Sequence, residues 1–341
     1  MILDGTSSAA IDTAAAALQA GELVAFPTET VYGLGADAGN DNAVAKIFAA
    51  KGRPSNHPLI VHLDDEHQGA AGVAHFASDA PVFARQLMQA FWPGPLTLIL
   101  PRRAAAGAAA AGGQDSIGLR CPAHAVAQAL LRACRGRGVM GLAGPSANQF
   151  GRVSPTTAAH VSSEFGAPLL ILDGGACSVG IESTIIDCTR GRPVLLRPGA
   201  ITPEQIAAAC GQTVLTPEQA AADSPTPRAS GTLEAHYAPK ARVRLMAAPA
   251  LQTALDLMGS DIDRAGTPLI AVYARVVLRS KSAQVLRRRM PDDAASTARQ
   301  LFAVLREFDA QGVKLIWVET PPPEAAWDAV RDRLQRASAA A

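Results

Sequence analysis

Short apolar runs along the chain alternate with longer segments in which apolar residues recur every three or four positions. Residues 59–63 and 96–100 are runs of strand length, and each is dominated by Leu, Ile and Val. Residues 42–50 and 78–91 instead place their large apolar side chains on one face of a helix. Further strand-like runs lie at residues 23–26, 169–172, 184–186 and 194–196. Strands interspersed with helices in this way predict an α/β layer fold.

Residues 216–239 interrupt this pattern, because they contain four prolines and few bulky apolar residues. Beyond them the alternation resumes, with strand-like runs and helical segments at residues 269–273, 292–309, 313–318 and 324–334. We therefore predict a first domain at residues 1–212, a linker at 213–240 and a small Rossmann-like α/β domain at 241–341. The second domain contains no GxGxxG segment, so a dinucleotide site has no support there.

The composition narrows the class of protein. The 341 residues carry a formal net charge of +1, without the basic excess expected of a protein whose main partner is a nucleic-acid backbone. The five cysteines are odd in number and form no CxxC pair, which indicates free thiols in a reducing cytosol. No apolar run approaches the roughly 20 residues of a membrane helix. We expect a soluble cytoplasmic protein without membrane contact.

Basic residues of the first domain recur beside proline or glycine turns. The segment KGRP contains Lys51 and Arg53, IGLRCP contains Arg120, and LLRPG contains Arg197. Arginine offers a planar fork, and lysine a compact charge, to phosphate or carboxylate groups. Because open α/β sheets bind ligands at strand ends, we predict that the four cations converge on one anionic ligand.

Glycine-rich segments with polar side chains accompany these cations. Their polar residues include Thr28, Glu29, Thr30, Ser116, Ser146, Asn148, Ser154 and Ser183. Taken alone, each segment also has a simpler interpretation. KGRP can be a solvated basic turn, Gly33 and Gly35 can occupy a turn with positive φ, and Ser154 can cap the next helix.

Other kinds of site lack their signatures. His57, His62 and His67 are spaced five residues apart, but a strand-and-loop region offers no reason for them to converge on a metal. No GxSxG elbow and no GxxxxGK[ST] loop is present, which speaks against a serine hydrolase and a P-loop enzyme. The basic run VLRRRMP at residues 285–291 is more typical of a solvated face than of an RNA contact.

The motifs occur together in a known order. PTETVYGLGADA, KGRPSNHPLIVHL, FWPGPLTLIL, IGLRCP, GPSAN, IESTIID and LLRPG follow one another as they do in YrdC-type threonylcarbamoyl-AMP synthases. The chain resembles that family over about residues 10–210, and KGR with SAN is similar to the family's hallmark pair. The segment SGTLEAHYAP and the trailing domain resemble the long, two-domain form. The resemblance implies a twisted open mixed sheet with helices and a large basic concavity.

The resemblance also implies a reaction. L-Threonine, bicarbonate or CO2, and ATP with Mg²⁺ would yield L-threonylcarbamoyladenylate and pyrophosphate, the first step of the t6A modification of tRNA. A separate transferase complex would complete the modification, with at most a weak direct tRNA contact by this chain. No protein side chain is assigned as a Mg²⁺ ligand.

Two alternatives to this reaction stay open. One is a non-catalytic RNA-binding module, and the net charge of +1 speaks against it. The other is a carbamoyltransferase of the hydrogenase-maturation kind, whose zinc-finger modules would need the CxxC pairs that this chain lacks.

Site residues follow from the resemblance position by position. The positions that hold threonine or its carbamate correspond to Thr28, His62, Arg120 and Ser183. The positions that contact ATP correspond to Lys51, Ser55, Ser116, Ser146, Ser154 and Arg197. Lys51 and Arg53 would offset the phosphate charge, and Asn148 completes the hallmark. His236 and Tyr237 would reach the nucleotide from the linker, and residues 224–239 would act as a lid.

Overall fold

The computed structural model describes residues 1–220, 226–264 and 270–339. It divides into two compact units, an N-terminal unit of Met1–Phe150 with Ser154–Thr232 and a C-terminal unit of Gly151–Val153 with Leu233–Ala341. Three pieces of the predictions lie outside the described residues, namely part of the linker and lid at 221–225, the first residue of the strand at 269–273, and the last two residues of the second domain.

A ten-stranded mixed sheet forms the centre of the N-terminal unit. Its strands are β1 Ile2–Asp4, β2 Val24–Phe26, β3 Gly33–Asp37, β4 Ile60–His62, β5 Leu96–Pro101, β6 Ser116–Arg120, β7 Leu142–Ala143, β8 Leu170–Asp173, β9 Thr184–Asp187 and β10 Val194–Arg197. The order across the sheet is β1-β8-β2-β3-β7-β4-β6-β5-β9-β10. Parallel pairs such as β4 with β6 alternate with antiparallel pairs such as β5 with β6, which confirms the mixed sheet.

Helices pack on both faces of this sheet. They are α1 Ser8–Gln19, α2 Asp41–Lys51, α3 Ala70–Phe76, α4 Val82–Phe91, α5 Ala125–Arg135, α6 Ala158–Phe165 and α7 Pro203–Cys210, with a 3-10 turn at Glu66–Gly69. The sheet has a hydrophobic core on each side, and alternate residues of β2 face one core or the other. Val24 and Phe26 pack with α1 and α5, whereas Ala25 belongs to the cluster that includes Ile47 of α2 and Leu87 of α4.

Two helices begin or end at residues other than those that the sequence pattern predicts, because capping residues set their ends. The segment predicted as a helix from residue 78 becomes helical only at Val82, because Pro81 stands at the N-cap. Helix α2 begins after Asn40, whose side chain accepts hydrogen bonds from two backbone N–H groups, and ends at Gly52 in the left-handed region. Lys51 is therefore the last residue of α2.

The two glycines of the PTETVYGLGADA segment lie in a strand. Gly33 and Gly35 belong to β3, and neither has a positive φ, so the interpretation as a turn is wrong. The reason is packing rather than backbone freedom. A Cβ atom on Gly35 would lie 2.9 Å from Cε1 of Phe26, whose ring covers this part of β3.

The C-terminal unit contains a four-stranded parallel sheet. Its strands are β11 Arg242–Met246, β12 Ile270–Ala274, β13 Leu286–Arg289 and β14 Leu315–Glu319, in the order β11-β14-β12-β13. Its helices are α8 Ala248–Arg264, α9 Ala294–Ala310 and α10 Asp328–Ala339, with a 3-10 turn at Ala325–Trp327. A parallel sheet with crossover helices confirms the Rossmann-like prediction for this unit.

Candidate active site

The ammonium group of Lys51 joins the two hallmark segments. Its Nζ atom donates to the carbonyl oxygen of Ser146 at 2.6 Å and to that of Asn148. The side chain is buried, and burial together with the neighbouring charge of Arg53 holds the pKa of Lys51 well below its ordinary value. An added anion would favour the charged form at this position.

Arg53 lies two residues further on and is also buried. Its Nη2 atom donates to the carbonyl oxygen of Pro58 at 2.9 Å and to Oγ of Ser230 at 3.4 Å. The guanidinium group lies over the ring of Phe150, 5.6 Å from its centre. The interpretation of KGRP as a solvated turn is therefore wrong, because Lys51 and Arg53 both point inward.

Arg197, at the end of β10, binds the start of β9 and the linker. Its Nε and Nη2 atoms donate to the carbonyl oxygen and Oγ of Ser183 at 3.0 and 3.1 Å. Nη1 donates to the carbonyl oxygen of Ser230 at 2.9 Å. Ser183 also shares a hydrogen bond of 2.7 Å with Oγ1 of Thr97. Ser230 thus accepts hydrogen bonds from two of the predicted cations, Arg53 and Arg197.

Arg120, at the end of β6, forms a buried ion pair with Glu29. Its Nη2 atom lies 2.6 Å from Oε1 of Glu29, Nη1 donates to Oγ1 of Thr30 at 2.8 Å, and Nε donates to the carbonyl oxygen of Gly94 at 3.2 Å. The hydroxyls of Thr28 and Thr30 are hydrogen bonded to each other at 2.8 Å. These bonds use three of the five N–H groups of Arg120.

His62 faces Arg120 across the β4–β6 pair, where the two residues are register partners. Its Nε2 atom lies 3.0 Å from the carbonyl oxygen of Gly144. Burial and the charge of Arg120 lower the pKa of His62 to about 3, so the ring is neutral at pH 7. Because a carbonyl only accepts, Nε2 carries the proton. Nδ1 is then a buried acceptor, and it has no partner among the described residues.

Ser154 lies beside an acidic residue rather than at a helix end. Its Oγ atom donates to Oε1 of Glu182, and both side chains are buried. Thr157 caps α6 instead, because its side chain accepts from the N–H of His160. The N-cap interpretation of Ser154 is therefore wrong.

The remaining predicted ATP residues have varied surroundings. Ser116 starts β6 and lines a narrow cleft together with Thr97, Gln114 and residues 228–230 of the linker. Ser55 is exposed in the turn that follows Arg53.

His236 and Tyr237 belong to the C-terminal unit. The ring of Tyr237 stacks on Phe302 at a centre-to-centre distance of 5.5 Å, and the guanidinium of Arg333 lies over it at 5.2 Å. The ring of His236 meets that of Tyr237 edge-on at 4.1 Å. The role of both residues in ATP binding stays a prediction.

The four cations form one connected group in the N-terminal unit. Arg120 neighbours His62, which contacts Gly144 of the same GPSAN segment that holds Lys51. Arg53 and Arg197 meet at Ser230. This end of the unit therefore combines several buried positive charges with hydroxyl groups and one neutral imidazole, which suits an anionic ligand of substantial size.

Comparison with known proteins identifies the family. A family model described as "Telomere recombination", covering Sua5, YciO and YrdC, matches residues 16–199. A second, described as "Threonylcarbamoyl-AMP synthase, C-terminal domain", matches residues 201–339. The chain belongs to the threonylcarbamoyl-AMP synthase family. The resemblance based on the motifs is thereby confirmed, including the two-domain form.

Relatives match the chain along nearly its full length. A threonylcarbamoyl-AMP synthase of Pyrococcus abyssi is 37% identical, over 96% of this chain and 94% of its own. One of Bacillus subtilis is also 37% identical, over 98% and 94%. The crystal structure of P. abyssi Sua5 complexed with L-threonine has a TM-score of 0.84 and 36% identity, covering 98% of this chain and 95% of that chain.

The structure of this threonylcarbamoyl-AMP synthase family member adds residues that the sequence did not single out. Glu29 was noted only as one polar residue of its segment, and Thr97 and Ser230 were not tied to the cations. A signal for Glu29 is present in the sequence, because a carboxylate stands between two threonines at the start of a segment that is otherwise largely apolar. Nothing local pointed to Thr97, which lies in an apolar strand.

Three further findings bear on the remaining expectations. Within the described ranges, no group of three or more His, Cys, Asp or Glu residues is arranged to hold a metal ion. In the same part of the chain, no helix has both the length and the apolar character needed to cross a bilayer. The five cysteines are buried free thiols, as predicted.

Proposed function

We infer that this chain synthesises L-threonylcarbamoyladenylate from L-threonine, CO2 or bicarbonate, and ATP, with release of pyrophosphate. Two relatives, each of which the chain covers to 94% of its length, are named threonylcarbamoyl-AMP synthase, and one related structure is a complex with L-threonine. The observation that carries the inference is the connected group of Lys51, Arg53, Arg120 and Arg197. Neither alternative is favoured, because relatives that match nearly the whole chain are named threonylcarbamoyl-AMP synthase.

We assign threonine to the end of the site around Arg120. Two N–H groups of its guanidinium are left over from the hydrogen bonds described, and they suit a carboxylate. Nδ1 of the neutral His62 can accept a hydrogen bond from the amine or hydroxyl of threonine. The hydroxyls of Thr28 and Ser183 offer further polar contacts in the same connected group.

We assign the triphosphate of ATP to Lys51, Arg53 and Arg197. The pKa of Lys51 is lowered by burial and by the charge of Arg53, which the carboxylate of Glu164 offsets only in part, and phosphate oxygens would supply further negative charge. Ser55, Ser116, Ser146, Asn148 and Ser154 are proposed as further ATP contacts. The contacts of Ser230 with Arg53 and Arg197 support a role of residues 226–232 in covering the nucleotide.

The chemistry proceeds by two bond-forming steps. The neutral amine of threonine attacks CO2 to form a carbamate, and the amine loses one proton. A carbamate oxygen then attacks the α-phosphorus of ATP, and pyrophosphate leaves with the electrons of the broken P–O bond. Alignment and charge stabilisation, rather than a nucleophilic side chain, are what such a transfer requires.

Mg²⁺ is proposed to enter with ATP. The described residues offer no ready-made cage of carboxylates for it, which fits an ion held mainly by phosphate oxygens and water. When bound, Mg²⁺ would neutralise charge on the phosphates. Lys51 and Arg53 would do so from the protein side.

The product would serve the t6A modification of tRNA through a separate transferase complex. A weak direct contact with tRNA and a cytoplasmic location stay predictions.

Pyrophosphate release tests the proposed function. The purified chain is incubated with Mg²⁺, ATP and bicarbonate, with threonine, with serine or with neither, and the adenylate is identified by mass spectrometry. We expect release that depends on threonine and a product with the mass of threonylcarbamoyladenylate. Pyrophosphate release at the same rate without threonine would overturn the proposal.

A further inference from the structure

The basic run of the C-terminal unit lies in an edge strand. Arg287, Arg288 and Arg289 belong to β13, which is the last strand in the order β11-β14-β12-β13, and all three side chains are exposed. No described strand pairs with the outer side of β13. Its outward backbone N–H and C=O groups are therefore available to another extended segment. The proposed synthase reaction does not use this region.

A pocket with aliphatic lining residues adjoins these arginines. In the parallel register, Arg287 lies beside Val272 and Arg289 beside Ala274, so these four side chains share one face. Together with Arg288 and residues 276–278 they line an open pocket of about 230 Å³. Ala274 and Arg289 end their strands, and the pocket thus lies at the carboxyl ends, where open parallel sheets bind ligands.

The loop beside the pocket exposes aliphatic surface. Val277 is 85% exposed and Val276 is 42% exposed, and both line the pocket. Charged residues on an edge strand are a common device against unwanted strand pairing. That device alone would not account for two exposed valines next to the charges, since exposed aliphatic side chains favour association.

The arginines on β13 can exchange their ion-pair partners with little loss of stability. Arg288 lies 3.6 Å from Glu307 and Arg289 lies 2.8 Å from Asp292, and every one of these side chains is about half exposed or more. Exposed ion pairs of this kind contribute little to stability. A carboxylate from another molecule can therefore replace either acid.

We propose that β13 and this pocket bind an extended segment of a partner protein in which aliphatic residues alternate with Asp or Glu. The segment adds as a strand to the outer edge of β13. Alternate side chains of a strand point to opposite faces, so the aliphatic residues enter the pocket while the acidic residues lie on the other face and meet Arg288.

Two other occupants fit less well. A single-stranded RNA would gain from aromatic side chains on which bases stack, but the residues that line the pocket are aliphatic or arginine, and Glu307 and Asp292 would repel its phosphates. A second copy of the chain, paired through β13, would set arginines against arginines, and like charges on neighbouring strands are unfavourable.

Binding of a labelled peptide to the full chain tests the proposal. The probe is Glu-Val-Glu-Val-Glu-Val-Glu, followed by fluorescence anisotropy. We expect saturable binding that Arg288→Glu weakens at least ~10-fold, as loss of a close charge pair does. Val277→Asp should weaken binding by a similar factor. Arg244→Glu, an exposed arginine on the opposite edge strand β11, should leave it within about twofold, because rim charges far from the contact have small effects.

Two altered peptides separate the contribution of the acidic side chains from that of the backbone hydrogen bonds. Replacing each Glu of the peptide by Lys should abolish binding, and replacing each Val by Pro, which removes backbone donors, should do the same. Failure of the acidic peptide to bind, or an equal effect of Arg244→Glu, overturns the proposal. So does tighter, steeply salt-dependent binding of a uridine oligonucleotide that displaces the peptide. Threonine-dependent pyrophosphate release by the Arg288→Glu and Val277→Asp variants should be unchanged, which shows that they are folded and keeps this test separate from that of the synthase activity.

Discussion

The guanidinium of Arg120 lies 2.6 Å from the carboxylate of Glu29, and both side chains are buried. Oε2 of Glu29 also accepts a hydrogen bond from the N–H of Ala123 at 3.1 Å. A buried ion pair holds its geometry when further hydrogen bonds satisfy its remaining atoms, as they do here. We infer that Glu29 is a positioning residue, which orients the fork that Arg120 presents to the carboxylate of threonine.

Glu29→Gln tests this relationship. The amide keeps the size of the side chain but removes the charge that orients Arg120, so we expect the KM for threonine to rise about tenfold, equivalent to roughly 1.4 kcal/mol. The KM for ATP should change less than about twofold, because Arg120 is not assigned to the phosphates. Steady-state kinetics with each substrate varied in turn measures both values.

Glu22→Gln is the matched control, because Glu22 forms an exposed ion pair with Lys46. It should leave both KM values unchanged. An equal rise of the two KM values in Glu29→Gln would show a general structural defect and would contradict the positioning role.

Lys51→Met removes the charge that we assign to the phosphates while keeping the apolar stem. We expect kcat/KM for ATP to fall by ~10² or more, the effect typical of losing one preorganised charge contact to the transition state. Lys46→Met, in the same helix but exposed, should retain full activity. Thermal unfolding of both variants checks that they fold. A fall of less than about threefold in Lys51→Met would remove Lys51 from the catalytic group.

His62 should make the protein sensitive to acid. Its pKa is about 3 in the folded chain and 6.5 ordinarily, so between these values the unfolded chain binds a proton that the folded chain does not. The free energy of unfolding should therefore fall as the pH drops through this window, by up to about 1.4 kcal/mol per pH unit from this group. Urea unfolding between pH 7 and pH 4 measures the slope.

In His62→Gln this part of the slope should disappear, while the amide can still donate to the carbonyl of Gly144. His75→Gln, an exposed histidine, should keep the slope of the unaltered chain. If both variants show the same pH dependence, burial of a neutral His62 does not contribute.

Residues 226–232 should act as a lid whose opening depends on Gln114. The backbone of Arg228 donates to Oε1 of Gln114 at 2.8 Å and accepts from its Nε2 at 3.2 Å. Loss of these two hydrogen bonds in Gln114→Ala, each contributing about 0.5–1.5 kcal/mol, should speed tryptic cleavage after Arg228 by roughly tenfold. ATP with threonine should slow that cleavage in the unaltered chain.

Gln19→Ala is the control. Gln19 also donates to an arginine carbonyl, that of Arg137, but both residues are far in the sequence from residues 226–232. Mass spectrometry of the fragments identifies the cut after Arg228. Cleavage at the same rate with and without both substrates would contradict the role as a lid.

Much of the fold could be predicted from the sequence because it rests on local periodicity. The apolar runs at 59–63 and 96–100 correspond to β4 and β5, and the helical spacing at 42–50 corresponds to α2. The strand β3 escaped prediction, because its glycines mimic a turn. They are required instead by the ring of Phe26, a contact between two strands that no local pattern reveals.

The sequence by itself determined the α/β class and the family, because apolar spacing acts within a few residues and the order of motifs is written along the chain. Only the tertiary structure decided which groups meet. Arg53 and Ser230 are 177 positions apart, and Arg120 and Glu29 are 91 positions apart, yet each pair is in contact. The order of strands across the sheet creates these contacts. The packing of the whole chain sets that order, because the energy of pairing two strands depends on which other strands they could pair with instead.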